Sequence, residues 1–222
     1  MATVDELAVG DEPGTWEALG FAVEGDVCML GDVRIRLAGE RSASAAGGGD
    51  GRKGLVGWSL RGAGEGDLDG LPTERSEQPA PDPAPAHPNG VTAIDHVVAI
   101  SPDLDRTVAA LQAAGLDLRR IREEPTPAGA PRQAFFRLGA VILEAVQAPP
   151  EAIERSGGAD GPSFFWGLAL VSEDLEATVA GLGPDRVGEI RPAVQPGRRI
   201  ATLRRAAGLS VPVALITPRS DA

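Results

Sequence analysis

The sequence predicts an α+β protein assembled from repeated βαβββ modules. The pattern S-x-D-L-[DE]-x-T-V-A-x-L occurs twice, in ISPDLDRTVAALQAAGL (Ile100 to Leu116) and in VSEDLEATVAGLG (Val171 to Gly183). Each copy follows an apolar strand-like run, AIDHVVAI in the first case and FFWGLALV in the second. Each is followed by two more β-like runs, RQAFFRLG with AVILEAVQ, and RRIATLRR with SVPVALIT. Self-similarity of this kind is sought first, because it sets the architecture.

The N-terminal segment Ala2 to Gly39 reads as a third, more compact copy. TVDELAVGDEPGTWEALGF has the strand-helix shape with a shorter helix, and CMLGDVRIRLAG shares L-G-x-V-x-[IL] with FRLGAVILEAVQ. GLVGWSLRG (Gly54 to Gly62) is one more strand and resembles the first strand of a further unit. Two stretches are too small and polar to build a core: GERSASAAGGGDGRK (Gly39 to Lys53) and the Pro-, Gly- and acid-rich segment from Arg61 to Gly90. In the latter, PAPDPAPAHP reads as an extended linker. The expected division is therefore residues 1–61 as a partial module plus a strand, 62–91 as linker, and 92–218 as paired modules (92–149 and 163–218).

In the first full module, alternation puts Ile94, His96, Val98 and Ile100 on one strand face and Asp95, Val97 and Ala99 on the other. Ser101 and Ser172 are the expected helix N-caps, with acids following in the first turn. Leu104, Val108 and Leu111 recur at helical spacing, as do Leu175, Val179 and Leu182. Gly115 and Gly183 are the expected stops. LDLRRIRE supplies another strand.

Composition excludes several function classes. The net charge is −11, from 32 acidic and 21 basic residues. Such a surface repels nucleic acid and anionic lipid. No apolar run reaches membrane-spanning length, and the first residues show neither a basic n-region nor an apolar core of a secretory leader. The single cysteine, Cys28, rules out an internal disulfide and a cysteine zinc cluster, and reads as a buried structural thiol. A cytoplasmic setting is expected. AAGGGDG lacks the ending and flanking elements of a phosphate loop. His87, in the proline tract, reads as a solvated residue.

Repeated βαβββ units with IDHVV at the first strand and VILEAV at the last resemble the vicinal oxygen chelate superfamily of glyoxalase I, extradiol dioxygenases and bleomycin-resistance proteins. The resemblance runs from about Thr92 to Pro218 and extends to residues 2–39. It implies curved mixed sheets around a cavity, with helices on the outside. It also implies a small-molecule ligand. In catalytic members the first and last strands of each unit each donate a ligand to a divalent ion, usually His and then Glu.

Carried over, the pattern places His96 and Glu144 at the two ligand positions of the middle module. The corresponding positions are Glu6 and Arg36 in the N-terminal unit. In the final unit they fall on Gly167 or Trp166, and on Val213 or Ala214. The metal would be Zn, Ni, Fe or Mn, held by His96 and Glu144 with Glu6 or a second subunit of a homodimer completing the set. Metal-free binding of the bleomycin-resistance type, with no cofactor, is the alternative. A protein-interaction module is a third.

Gln133 and Arg132 lie on the strand beside Glu144, where one of them faces the cavity or both belong to a solvated face. Phe135 and Trp166 are candidates for an apolar wall, against a reading as core. Arg199, in the basic run QPGRRIATLRR, is a candidate for recognising an acidic ligand group. Alternation sends Arg198 to the other face, and an exposed strand balancing the acidic surface is the plainer reading of the run. Enzyme activity of a glyoxalase-like, metal-dependent lyase or dioxygenase type follows only if the ligand set is completed.

Overall fold

A computed structural model describes residues 1–39, 53–82, 84–126, 129–155 and 158–219. The glycine-rich stretch discounted above as a phosphate loop lies within 40–52, outside the described residues. Among the described residues, fifteen strands form two mixed sheets. The first holds β1 (Thr3–Val9), β2 (Val23–Glu24), β3 (Val27–Leu30), β4 (Val33–Leu37), β5 (Leu55–Arg61), β6 (Gly66–Leu68) and β7 (Leu71–Arg75), in the order β2-β3-β4-β1-β5-β7-β6. The second holds β8 (Val91–Ser101), β9 (Asp117–Arg122), β10 (Gln133–Leu138), β11 (Val141–Gln147), β12 (Phe164–Ser172), β13 (Arg191–Pro192), β14 (Arg199–Thr202) and β15 (Val213–Ile216). Its order is β13-β14-β15-β12-β8-β11-β10-β9.

One pairing rule generates both sheets. The first strand of each module runs parallel to its last: β1 with β4, β5 with β7, β8 with β11, and β12 with β15. The intervening strands add antiparallel. The stretch from 62 to 91, expected as linker, therefore carries β6 and β7, and Gly54 to Gly62 opens a fourth, helix-less module. β6 is three residues of Gly, Asp and Leu, too short to show alternation.

The α-helices among the described residues are α1 (Pro13–Glu17), α2 (Leu104–Ala113), α3 (Pro150–Arg155) and α4 (Leu175–Leu182). In α2 the apolar stripe Leu104, Val108 and Leu111 is buried. The expected serine caps are corrected. Asp103 caps α2 by accepting from Arg106 N–H at 3.1 Å, and Asp174 caps α4 by accepting from Ala177 N–H at 2.9 Å. Ser101 and Ser172 instead share hydrogen bonds with Thr107 and Thr178, at 2.7 and 2.8 Å. The S-x-D-L-[DE]-x-T signature is thus a clamp: the aspartate caps the helix, while serine and threonine tie its first turn to the preceding strand. Gly115 (φ 89°) and Gly183 (φ 79°) end the helices in backbone conformations that suit glycine.

Contacts divide the chain into two compact units. Unit 1 comprises Met1–Asp5, Gly57–Gln78 and His96–Trp166; unit 2 comprises Glu6–Val56, Pro79–Asp95 and Gly167–Ala222. The core of unit 1 includes Phe136, Leu138 and Leu143 under α2, and that of unit 2 includes Trp16, Leu7, Leu30 and Ile35. His87 is 6% exposed, not solvated as expected. Its Nδ1 accepts from Ala22 N–H at 2.9 Å, and its Nε2–H donates to Met29 O at 2.6 Å, so the ring is the neutral Nε2–H tautomer. The proline tract is thereby pinned in unit 2. No helix among the described residues is long and apolar enough to cross a membrane.

Candidate functional site

In unit 1, α2 covers one face of β9–β11, where Leu143, Ala145, Ala134 and Phe136 are buried. The other face carries no helix among the described residues. By alternation it presents His96, Val98 and Ile100 from β8, Ile142, Glu144 and Val146 from β11, and Gln133 and Phe135 from β10. Register makes Arg120, Phe135, Glu144 and Val98 one cross-strand row.

The polar centre of this face is compact. His96 Nε2 stands 3.7 Å from Glu144 Oε2, with side chains 15% and 16% exposed. Gln133 Nε2 donates to Glu144 Oε1. The amide orientation follows, because a flipped Gln133 would set two acceptors against each other. Its Oε1 is then buried with no hydrogen-bond partner among the described residues. A buried acceptor left this way costs about 1–3 kcal/mol unless a ligand or solvent donor reaches it. Phe135 walls the centre, and Arg120 Cζ lies 4.7 Å from the Phe135 ring centroid.

The other sequence candidates are placed elsewhere. Glu6 belongs to unit 2, where its two carboxylate oxygens accept from Arg36 Nε at 2.9 Å and Nη2 at 2.7 Å. Those hydrogen bonds raise the Arg36 pKa above its ordinary value. An ion pair thus fills the two positions that His96 and Glu144 hold in the middle module. Arg199 is exposed and ion-paired with Glu176 of α4, whose pKa the arginine lowers. Arg132 points away from the site, to Asp105 at 3.0 Å and Glu123 at 2.7 Å. Trp166 is half exposed and, one residue before Gly167, lies on the opposite strand face.

Register settles the final module. Leu168 pairs with Val213, which aligns Gly167 with Pro212 and makes Ala214 the partner position of Glu144. A Cβ added to Gly167 would stand 2.7 Å from Pro212 O, so this position is closed to any side chain. Gly57 and Pro72 repeat the arrangement at 3.4 Å, placing Glu74 at the last-strand position of the helix-less module. Sequence reasoning missed Glu74; the repeated Gly and Pro pair was its signal.

Among the described residues, no group of three or more His, Cys, Asp or Glu side chains is close enough to hold a metal ion. A catalytic divalent site takes at least three protein ligands. One imidazole and one carboxylate fall short, so these residues do not fit a complete metal centre.

Sequence reasoning also missed two ion pairs, one fully buried and one with a buried carboxylate and a half-buried arginine. Asp95, beside His96 in sequence, accepts from Arg198 Nη2 at 2.8 Å in unit 2, with side chains 3% and 6% exposed. Asp5, beside Glu6 in sequence, pairs with Arg61 and Ser76 in unit 1. An open cleft of about 450 Å³ in unit 2 runs between the end of α1 and α4. It holds none of the predicted residues, and two of its polar side chains are engaged by backbone: Arg186 donates to Ala18 O and Thr178 to Asn89 O.

No protein-family model and no curated protein matches the sequence. Solved structures do match. A xylose isomerase-like TIM barrel/4-hydroxyphenylpyruvate dioxygenase fusion protein aligns over 99% of this chain and 49% of its own, with 15% identity and a TM-score of 0.63. Methylmalonyl-CoA epimerase from Mycobacterium tuberculosis aligns over 59% of this chain and 91% of its own, at 21% identity and a TM-score of 0.47. A single-residue variant of the Streptomyces coelicolor methylmalonyl-CoA epimerase, in complex with 2-nitronate-propionyl-CoA, aligns over 59% and 99%, at 24% identity and a TM-score of 0.47.

Proposed function

We propose, from a chain whose fold is that of the vicinal oxygen chelate superfamily, that the helix-free face of unit 1 holds a small polar metabolite without a metal ion. The observation that carries this reading is the buried, unpartnered Oε1 of Gln133 beside Glu144 and His96. A ligand hydroxyl or amine donating to Gln133 Oε1 would recover the desolvation cost of that acceptor. Val98, Ile100, Val146 and Phe135 supply apolar contact around that centre.

Thermal denaturation in the presence of a library of small polar metabolites tests this reading. A true ligand at 100 times its Kd adds about 2.7 kcal/mol, a rise of roughly 5–10 °C for a chain of this size. The rise should disappear in Gln133→Leu. Ligands whose stabilisation survives both Gln133→Leu and Glu144→Ala would sink the proposal.

A second reading rests on the 3.7 Å approach of His96 to Glu144. It gives the pair to a divalent ion, with the missing ligands from a second copy of the chain. Its test is metal content after desalting, measured on wild type and His96→Ala. Stoichiometric ion lost in the variant would favour it over metal-free binding.

A further inference from the structure

Arginines near the helix-free face of unit 1 are mostly neutralised. Arg119 meets Asp117 at 3.2 Å, Arg122 meets Glu124 at 3.6 Å, and Arg132 meets Asp105 and Glu123. Arg137, two residues beyond Phe135, has no carboxylate partner among the described residues but donates from Nε to Gly139 O at 3.2 Å, whereas Arg120 is stacked on the site's own ring. The Arg120 guanidinium lies over the Phe135 ring, and among the described residues it has no carboxylate partner, in a protein with eleven surplus negative charges. Phe135 pairs with Glu144, so Arg120 and Glu144 stand two strands apart on one face, about 10 Å between backbones. The arginine side chain leans across that gap. The face thus offers a cation at one end, acceptors at the other, and an aromatic ring between.

We infer that the ligand of this face is a small organic carboxylate with a flat or apolar body and a hydroxyl or amino group. The inference rests on the binding reading above and adds the ligand's chemical class. The carboxylate takes the guanidinium fork of Arg120, which remains stacked on Phe135. The body lies against Phe135 and the aliphatic side chains. The hydroxyl or amine donates to Gln133 Oε1. A monoanion fits better than a phosphate dianion, because a single guanidinium lies over Phe135 and the Glu144 carboxylate lies on the same face.

Titration of the full chain with benzoate, benzamide, phenylacetate and 4-hydroxyphenylacetate, followed by the backbone amide signals of β10 and β11, tests this. Benzoate should bind at least about ten-fold more tightly than benzamide, the worth of one charge-assisted pair. Arg120→Gln, at an exposed position, should bring the ratio within about two-fold. 4-Hydroxyphenylacetate, whose hydroxyl lies across the ring from the carboxylate, should outbind phenylacetate in wild type, and Gln133→Leu should erase that preference. Equal binding of benzoate and benzamide, or a ratio unchanged in Arg120→Gln, overturns the carboxylate inference and leaves the binding face standing. If none of the four probes moves these signals in folded protein, the carboxylate inference falls, and the metabolite library in thermal denaturation decides the binding reading on its own.

Discussion

Removing the charge of Asp95 should destabilise the protein far more than a surface substitution would. In unit 2, Arg198 donates from Nη2 to Asp95 at 2.8 Å, from Nε to Thr217 O at 2.8 Å and from Nη1 to Gln195 Oε1 at 2.8 Å. Arg219 adds a longer contact to Asp95 at 3.2 Å. Taking one partner from a buried pair leaves the other charge desolvated, at a cost of about 3–5 kcal/mol as a rule. Asp95→Asn keeps the side-chain shape, and Arg198 keeps two other acceptors, so the expected cost is about 3 kcal/mol, the lower end of that range. For a chain of this length the melting temperature should drop by roughly 6–12 °C. Arg198→Met leaves Asp95 with Arg219 and should cost about 2–3 kcal/mol. The double variant removes both buried charges and should cost at least about 1 kcal/mol less than the sum. Urea unfolding at constant m gives the three values. Single costs below about 1 kcal/mol, or strictly additive costs, would refute the view that this pair is a coupled buried unit.

Two further expectations concern single side chains. Burial pushes the Cys28 thiol up to about 12 from its ordinary value of 9.0, so it should resist alkylation at pH 8 until the protein unfolds. Above about pH 9 the unfolded chain loses this proton first. Stability should then fall with rising pH, less steeply in Cys28→Ala, and equal slopes would contradict the assignment. Gly167→Ala, which pushes a methyl onto Pro212 O, should cost about 1–3 kcal/mol in chemical denaturation, whereas Gly181→Ala, in open space on α4, should be neutral or stabilising.

The repeat was legible because it is written twice. The serine, aspartate, leucine and threonine of the signature all sit where a strand meets a helix, and its polar members bond within six residues. Local physics of that kind survives in sequence. His96 and Glu144 could be assigned to matching positions of one module because strand alternation and module alignment suffice for it, whereas the choice between Gln133 and Arg132 waited on the strand register. The serine caps failed for a subtler reason: serine and aspartate are both good caps, and only the threonine hydroxyl six residues on decides between them. Asp95 with Arg198, and Asp5 with Arg61, were illegible because their partners lie 103 and 56 residues apart. His87 was misread because its tract is proline-rich, although its ring bonds two backbone groups of the first module. β6 and β7 were hidden by glycine, proline and acid in strands too short to show a period.

The placement of the tryptophans makes the molecule its own optical probe. The chain has three tryptophans and no tyrosine. Trp16 is fully buried in unit 2 and donates to Asp11, and Trp58 is buried in unit 1 and donates to Thr73. Trp166 is half in water. Replacing Trp166 by phenylalanine would leave one shielded emitter in each unit, with no tyrosine background. Removing Trp16 or Trp58 in turn would then reveal whether the two halves melt in one event or in succession, read from the colour of the emitted light alone.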